Sequence, residues 1–220
     1  MDVLLIRHGQ SVGNAEGRMQ GQLDYPLTEA GEQQGQALAA WLGRQAISWQ
    51  AAYVSPQVRA LRTYQILQEQ LGAVAPQLDP DLRELHAGEL EGKVREEIEL
   101  SHPSFFERDV TQVGSFAEFG GESYEDVQAR VARVWARIFA AHRSSEDCVA
   151  ILSHGGFLYQ LMKAAICVPV PRVAILRFGN CCTSKMHFRD RRGAYMGEVQ
   201  WHVPIELMGG VATANVSRFY

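Results

Sequence analysis

The chain has 220 residues, enough for one well-packed domain, and a second full domain is not expected. Hydrophobic residues make up 46% and charged residues 21%, a composition typical of a folded globular protein rather than a disordered one. The net charge of −4 gives no overall attraction to nucleic acid or anionic membranes, so any phosphate site must be a local cluster of arginine and histidine.

The first predicted strand, residues 2–7, is an aliphatic run that leads into Arg7, His8 and Gly9. In open α/β folds the carboxyl ends of buried strands form the edge where ligands bind. A guanidinium can hold phosphate in a bidentate fork and a neutral imidazole offers a lone pair, so this edge suits anion chemistry. Taken alone, a histidine that caps a strand end is an equally good interpretation of these residues.

The next elements alternate between strands and amphipathic helices. Thr28 is predicted to cap a helix that ends near Gly43, and a strand over residues 51–54 precedes a helix that Gly72 ends. This pattern predicts an α/β fold, a three-layer α/β/α sandwich with a mostly parallel central sheet and helices on both faces. We expect a single domain over residues 1–220.

Residues 92–121 interrupt the alternation, because they mix acidic residues with four phenylalanines. We predict a helical excursion there, and two interpretations stay open: a lid or specificity segment over the site, or a packed connector. Ser123 then opens a clear amphipathic helix. Its polar face, which carries Arg130, Arg133 and Arg137, is interpreted as solvated and without function.

A second strand, residues 148–153, also ends in a His-Gly pair, His154 and Gly155, and a fourth helix follows. The two imidazoles can converge if these strands are neighbours. Further strands are predicted over residues 173–178, 183–188 and 197–203, with a solvated hairpin loop over 189–193 rather than a nucleic-acid patch.

Several features bear on location and partners. The four cysteines lack C-x-x-C spacing and are interpreted as reduced thiols of a cytoplasmic protein. No apolar run approaches the length of a membrane span, and the first residues lack the basic flank of a signal peptide. The apolar tail after Pro204 is predicted to cover either the domain or a partner subunit.

Six sequence blocks now point to a family. The chain resembles the histidine phosphatase superfamily, which contains cofactor-dependent phosphoglycerate mutases and related phosphatases. The blocks occur in family order: Arg7-His8-Gly9-Gln10-Ser11 with Asn14, residues 20–28, residues 55–63, residues 82–92, Gly120-Gly121-Glu122-Ser123, and Ser153-His154-Gly155-Gly156. The resemblance covers nearly the whole chain and implies a phosphoglycerate mutase-like fold.

The resemblance implies a catalytic histidine that attacks phosphorus, and His8 takes that role. It also implies that four other residues form the phosphate pocket around His8: Arg7, Asn14, Arg59 and His154. These residue types fit the chemistry, since cationic donors must neutralise the phosphate oxygens before a nucleophile can approach. Arg59 is expected in the first turn of its helix, where free backbone amides attract anions.

Glu84 holds the family's proton-donor position, and it would protonate the leaving alkoxide and later accept a proton from water. Gln20 aligns with a glutamine at the pocket entrance of related phosphatases and is a predicted substrate contact. His86 and Ala87 depart from the family pattern, which affects specificity more than catalysis. His86 is interpreted as packing in preference to binding substrate.

The favoured function is a metal-independent phosphatase of small phosphorylated metabolites that needs no cofactor. A phosphoglycerate mutase is the main alternative, but residues 93–99 are acidic where mutases place cations for a second anionic group. Sugar bisphosphatases and phosphatases of a cobalamin-precursor nucleotide are nearer competitors. A non-catalytic binding module and a metal hydrolase are less favoured, because the catalytic set is complete and no metal-ligand spacing is present. Family members are often dimers, so a homodimer is compatible with the resemblance.

Overall fold

A computed structural model describes residues 1–108, 115–143, 146–166, 177–191 and 194–210. Its strands are β1 (Asp2–Arg7), β2 (Ala51–Val54), β3 (Gln77–Leu78), β4 (Cys148–Ser153), β5 (Thr183–Arg191) and β6 (Ala194–Val203). Its α-helices are α1 (Val12–Ala15), α2 (Glu29–Arg44), α3 (Val58–Leu71), α4 (Arg95–Ser101), α5 (Ser104–Glu107), α6 (Tyr124–His142) and α7 (Gly155–Ala165).

The strands form one sheet in the order β3-β2-β4-β1-β5-β6. The first four strands in that order run parallel, whereas β5 and β6 are antiparallel to their neighbours. Residues along the central strands alternate between the two faces, because successive side chains of a strand point to opposite sides. Val3 and Leu5 therefore face one apolar cluster, while Leu4 and Ile6 face the other.

Helices α2 and α3 pack on one face of the sheet and α6 and α7 on the other, so the predicted three-layer α/β/α sandwich is confirmed. Thr28 caps α2 by accepting a hydrogen bond from the Gly31 amide, and Gly72 ends α3 in a left-handed conformation. Helix α2 runs one residue past Gly43, the end predicted from the sequence.

Several predicted boundaries differ from the structure. Strand β5 continues to Arg191 and β6 begins at Ala194, so residues 189–191 are strand and not loop. The antiparallel ladder explains the extension, because each strand supplies backbone partners that the other lacks alone. Most of the predicted strand over residues 173–178, the tail beyond 210 and Cys167 lie outside the described residues.

The prediction for the polar face of α6 is wrong at one position. Arg130 is 7% exposed, whereas the side chains of Arg133 and Arg137 are about half exposed and pair with Asp79 and Asp81. Sequence spacing placed all three arginines on one polar stripe. The reason for the difference is that residues 79–86 and 122 cover that stripe near the start of the helix.

The segment over residues 92–121 contains α4, α5 and a short 3₁₀ helix, Ala117–Phe119, in its described part. Phe105, Phe116 and Phe119 are almost fully buried and belong to the apolar cluster that α6 and α7 share with the sheet. The segment is therefore helical, as predicted, and its phenylalanines anchor it to the core. A lid role for its exposed part stays a prediction.

Candidate active site

The two His-Gly pairs meet at one edge of the sheet. Strands β1 and β4 are parallel neighbours with Arg7 opposite Ser153, so the residues that follow them, His8 and His154, emerge side by side. Their ring centroids are 5.0 Å apart. The predicted convergence of the two imidazoles is confirmed.

The His8 ring is fixed in one tautomer. Its Nδ1 lies 2.6 Å from the carbonyl oxygen of Gly9, and a carbonyl only accepts, so Nδ1 carries the hydrogen and Nε2 keeps its lone pair. Burial, together with the positive charges of Arg59 and Arg7, holds the pKa of His8 well below 6.5, although the bond to Gly9 acts in the opposite direction. At neutral pH the ring is therefore uncharged.

Gly9 lets the backbone of the site approach α2 closely. A Cβ atom at this position would lie 2.5 Å from the carbonyl oxygen of Gly31, which is closer than real contacts allow. The Gly9 amide donates to Thr63 Oγ1 at 3.0 Å, and Thr63 in turn donates to the carbonyl of Arg59. The His8 loop is thus held between α2 and α3.

Two buried arginines supply the positive charge. Arg7 is 7% exposed and donates to the carbonyl of Phe178 at 2.5 Å. Arg59, in the first turn of α3 as predicted, donates to the carbonyls of Leu23 and Gly21 at 2.7 and 2.9 Å. Burial lowers the pKa of Arg59 to about 10, so it stays protonated at neutral pH. Its Nε is buried without a partner among the described residues, which leaves a donor for an anion.

Asn14 and Gln20 belong to one polar network. Asn14 Oδ1 lies 3.3 Å from the Ser11 amide, 3.0 Å from Ser11 Oγ and 3.1 Å from Asn180 Nδ2. Because these contacts engage its oxygen, the amide nitrogen of Asn14 is the group left for a ligand. Gln20 Oε1 is 2.6 Å from Ser11 Oγ, which ties the predicted entrance glutamine to the same network.

His154 is fully buried and has one free ring nitrogen. Its Nε2 lies 2.8 Å from Ser55 Oγ, while its Nδ1 has no partner in the described part of the chain. Burial and then the charge of Arg59 keep its pKa well below 6.5. Gly155 brings the backbone of α7 against Arg7, since a Cβ there would lie 3.3 Å from Arg7 Nε. His154 can therefore donate one hydrogen bond in a neutral form.

Glu84 reaches the start of α7, beside His154. Its carboxylate accepts from three backbone amides: Leu85 at 3.0 Å, Phe157 at 2.9 Å and Gly156 at 3.0 Å. Free amides at a helix N-terminus are natural partners of a carboxylate. The predicted proton donor is thus fixed in place next to the imidazole pair.

His86 is only partly packed against its neighbours. Its side chain is 43% exposed, and its Nε2 lies 3.8 Å from Glu91 Oε1. The same Glu91 oxygen accepts from the amides of Gln22 and Ala87, so Glu91 joins His86 to the loop that follows Gln20. Substrate contact, the less favoured alternative in the sequence analysis, becomes a proposal for His86.

Asn180 is a site residue that the sequence analysis missed. It is 4% exposed, and its Nδ2 donates to Asn14 Oδ1 at 3.1 Å and approaches the carbonyl of His8 at 3.3 Å. The neighbouring Cys181 amide donates to the same His8 carbonyl. An Asn in a turn between two strand-like stretches gives no sequence signal of such a role.

Replacing Asn180 with aspartate should lower kcat/KM about ten- to a hundredfold, because the carboxylate keeps the shape but cannot donate to Asn14 and His8. Steady-state hydrolysis of p-nitrophenyl phosphate measures the effect, and circular dichroism checks the fold. An Asn180→Asp enzyme with wild-type kcat/KM would contradict the role.

The described residues contain neither a candidate metal cluster nor a candidate membrane span. No group of three or more His, Cys, Asp or Glu residues in this part of the chain is arranged to hold a metal ion. No helix found there is both long and apolar enough to cross a membrane.

The fold and the site together define an α/β protein with a buried cluster of two arginines around two uncharged imidazoles. The sequence profile of the histidine phosphatase superfamily (branch 1) matches residues 3–198, so the chain belongs to this family. Family membership and the relatives described next indicate a phosphatase-type hydrolase.

Among curated relatives, the glucosyl-3-phosphoglycerate phosphatase of Mycobacterium tuberculosis is 30% identical, and the match covers 92% of each chain. The phosphoglycerate mutase-like protein 4 of Arabidopsis thaliana is 33% identical over 74% of this chain and 70% of its own. Among solved structures, the Bacillus stearothermophilus protein YhfR is 31% identical with a TM-score of 0.77, covering 93% of this chain and 98% of that one. A mycobacterial glucosyl-3-phosphoglycerate phosphatase in complex with VO3 is 29% identical with a TM-score of 0.78, covering 91% and 97%.

Proposed function

We propose that this protein is a metal-independent phosphatase that hydrolyses small phosphomonoesters through a phosphohistidine on His8. One observation carries the proposal: the Gly9 carbonyl fixes Nδ1 of a neutral His8, which leaves a Nε2 lone pair in a pocket made positive by Arg7 and Arg59. A nucleophile of this kind can approach a doubly charged phosphate only where cations neutralise the oxygens.

The reaction has two steps. His8 Nε2 attacks phosphorus, the P–O ester bond breaks, and the leaving oxygen takes the proton of protonated Glu84. Water then attacks the phosphohistidine and gives a proton to the Glu84 carboxylate, while the P–N bond breaks and its electron pair returns to Nε2. Phosphate leaves, and both residues return to their starting forms.

The remaining site residues hold the phosphate. Arg7, Arg59, the amide nitrogen of Asn14 and Nδ1 of His154 are donors for its oxygens. Gln20 lies at the edge of this network and is a candidate contact for the rest of the substrate. We further propose a soluble phosphorylated metabolite as substrate and a cytoplasmic location, which is compatible with the free thiols of Cys148, Cys181 and Cys182.

The cations of the 92–121 segment favour a phosphatase over a mutase. A mutase needs additional cations for a second anionic group, and this segment contains three: Lys93, Arg95 and Arg108. Arg95 pairs with Glu99, Lys93 donates to the carbonyl of Glu89, and Arg108 lies over the Phe105 ring and donates to the carbonyl of Ser115. Arg95 and Arg108 therefore have partners within the segment, and Lys93 has one just before it.

A hydrolysis screen tests the proposal. Phosphate release is measured in chelator-treated buffer on p-nitrophenyl phosphate, 3-phosphoglycerate, glucosyl-3-phosphoglycerate and a sugar bisphosphate, with orthovanadate as inhibitor. We expect release of phosphate that persists with chelator and that vanadate inhibits. Isomerisation of 3-phosphoglycerate with its bisphosphate cofactor and little phosphate release would instead identify a mutase, while inactivity on all substrates would favour a binding module.

A further inference from the structure

Arg130 is buried beside the proposed proton donor, and the proposed mechanism gives it no role. It lies on α6 and is 7% exposed. One guanidinium nitrogen donates to the carbonyls of Asp81 and Arg83 at 3.0 and 2.8 Å, and the other approaches the carbonyl of Glu84 at 3.3 Å. A single guanidinium thus holds three carbonyls of the segment that carries Glu84.

Glu122 completes this arrangement from the other side. Its two carboxylate oxygens both lie 2.7 Å from Arg130: one accepts a hydrogen bond from the second terminal nitrogen, and the other is in ion-pair contact with Nε without a hydrogen bond. The same carboxylate accepts from the His86 amide at 2.8 Å. The ion pair therefore fixes the backbone both before and after Glu84.

The guanidinium also touches the helix end that receives the Glu84 carboxylate. It lies over the ring of Phe157, 4.4 Å from the ring centroid. The amide of Phe157 donates to Glu84 Oε1 at 2.9 Å. Arg130 thus contacts both the chain segment that carries Glu84 and helix α7, whose amides bind the Glu84 carboxylate.

A buried ion pair is costly to desolvate, and a well-packed apolar pair of similar volume often stabilises a protein equally well. An apolar pair would not orient the backbone, because only the fixed donors of a guanidinium can set the relative positions of several carbonyls. We propose that Arg130 and Glu122 form a positioning pair that aims Glu84 at the leaving oxygen of the substrate. The proposal rests on the proton-donor role of Glu84 in the proposed function.

Helix α6 offers a matched control. Arg133 lies one turn further along, with a side chain that is 52% exposed, and it binds the carboxylate of Asp81 rather than the backbone around Glu84. Arg133→Lys makes the same chemical change as Arg130→Lys on the same helix. Lysine keeps the positive charge in both variants but loses the fork.

The test compares two aryl phosphates that differ in how much their leaving group needs a proton. p-Nitrophenolate leaves without protonation, whereas phenolate, a stronger base, benefits from an acid. The quantity measured is the ratio of kcat/KM for phenyl phosphate to that for p-nitrophenyl phosphate, since kcat/KM reports the steps up to the release of the phenol. The enzymes are wild type, Arg130→Lys, Glu122→Gln, Arg133→Lys and Glu84→Gln, each checked by circular dichroism and thermal melting.

We expect this ratio to fall at least about fivefold in Arg130→Lys and Glu122→Gln, to fall further in Glu84→Gln, and to stay at the wild-type value in Arg133→Lys. Equal losses on both phosphates in the Arg130 and Glu122 variants would overturn the proposal, because a purely structural defect does not depend on the leaving group. An unchanged ratio in Glu84→Gln would remove Glu84 as donor and overturn it as well. A wild-type enzyme that hydrolyses neither phosphate would contradict the proposed function itself.

Discussion

Replacing His8 with alanine is expected to reduce phosphate release about 10⁴-fold or more, because it removes the atom that attacks the phosphorus of the substrate in the proposed mechanism. The pocket around it would persist, since Arg7 and Arg59 are held by backbone carbonyls and not by His8. The variant should therefore still bind phosphate, with a dissociation constant close to that of the wild type. Initial rates and calorimetric titration with inorganic phosphate measure the two quantities.

A covalent intermediate gives a second measurement of the same prediction. Rapid quenching of the wild-type enzyme with ³²P-labelled substrate should leave label on the protein that is stable in base and lost in acid, as expected for a phosphorus–nitrogen bond. His8→Ala should carry no label. Glu84→Gln should retain the label for longer than the wild type, because the water that attacks the phosphohistidine has lost its base.

His187 provides the matched histidine control. It pairs with Asp2 at the opposite end of β1, roughly 20 Å from His8 by the rise of an extended strand. His187→Ala should hydrolyse and become labelled like the wild type. Full activity in His8→Ala, or label that His187→Ala loses, would rule out the assigned nucleophile.

The sequence predicts the positions of those site residues that lie at the end of a strand or at the start of a helix. A buried strand must end at the sheet edge, so the positions of His8 and His154 follow once β1 and β4 are neighbours. Arg59 follows in the same way, because Ser55 and Pro56 place the start of α3 at that edge. For these residues the local pattern and the tertiary position coincide.

Arg130 was mispredicted because helical periodicity reports which face is polar and not what covers that face. Its neighbours on the stripe, Arg133 and Arg137, bind the carboxylates of Asp79 and Asp81, while Arg130 lies under residues that are about 50 positions away in the chain. Glu122 gave no sequence signal either, because it precedes α6 and is eight residues before Arg130, beyond the three- and four-residue spacing of helical neighbours. Strand β3 was missed for a related reason, since Gln77 and Leu78 are both exposed and carry no pattern.

Acid should destabilise this protein through its two buried imidazoles. The folded-state pKa values of His8 and His154 lie well below 6.5, chiefly because of burial, whereas in the unfolded chain both return to about 6.5. Below pH 6.5 the unfolded state therefore binds more protons than the folded state, and stability falls as the pH falls towards the folded-state values. Each group contributes at most about 1.4 kcal/mol per pH unit in this window, so both contribute at most about 3 kcal/mol per unit.

Urea denaturation between pH 7 and 5 measures this slope in a range where most carboxylates stay ionised. His202, whose pKa burial also lowers, adds to the slope in the same direction. In the His8→Asn variant the unfolding free energy should change less steeply with pH, by the contribution of one histidine. The difference from the wild type isolates the contribution of His8. A stability that does not change between pH 6.5 and 5 would contradict the burial of both rings.

Inorganic phosphate should make the slope shallower, and this response separates the pocket from other acid-sensitive groups. An anion beside His154 favours its charged form and so raises its folded-state pKa towards the unfolded value. The difference in bound protons between the two states then shrinks, and the loss of stability per pH unit shrinks with it. Sulfate should act in the same direction if the pocket recognises only tetrahedral charge, while a slope that neither anion changes would place the titrating groups outside the phosphate site.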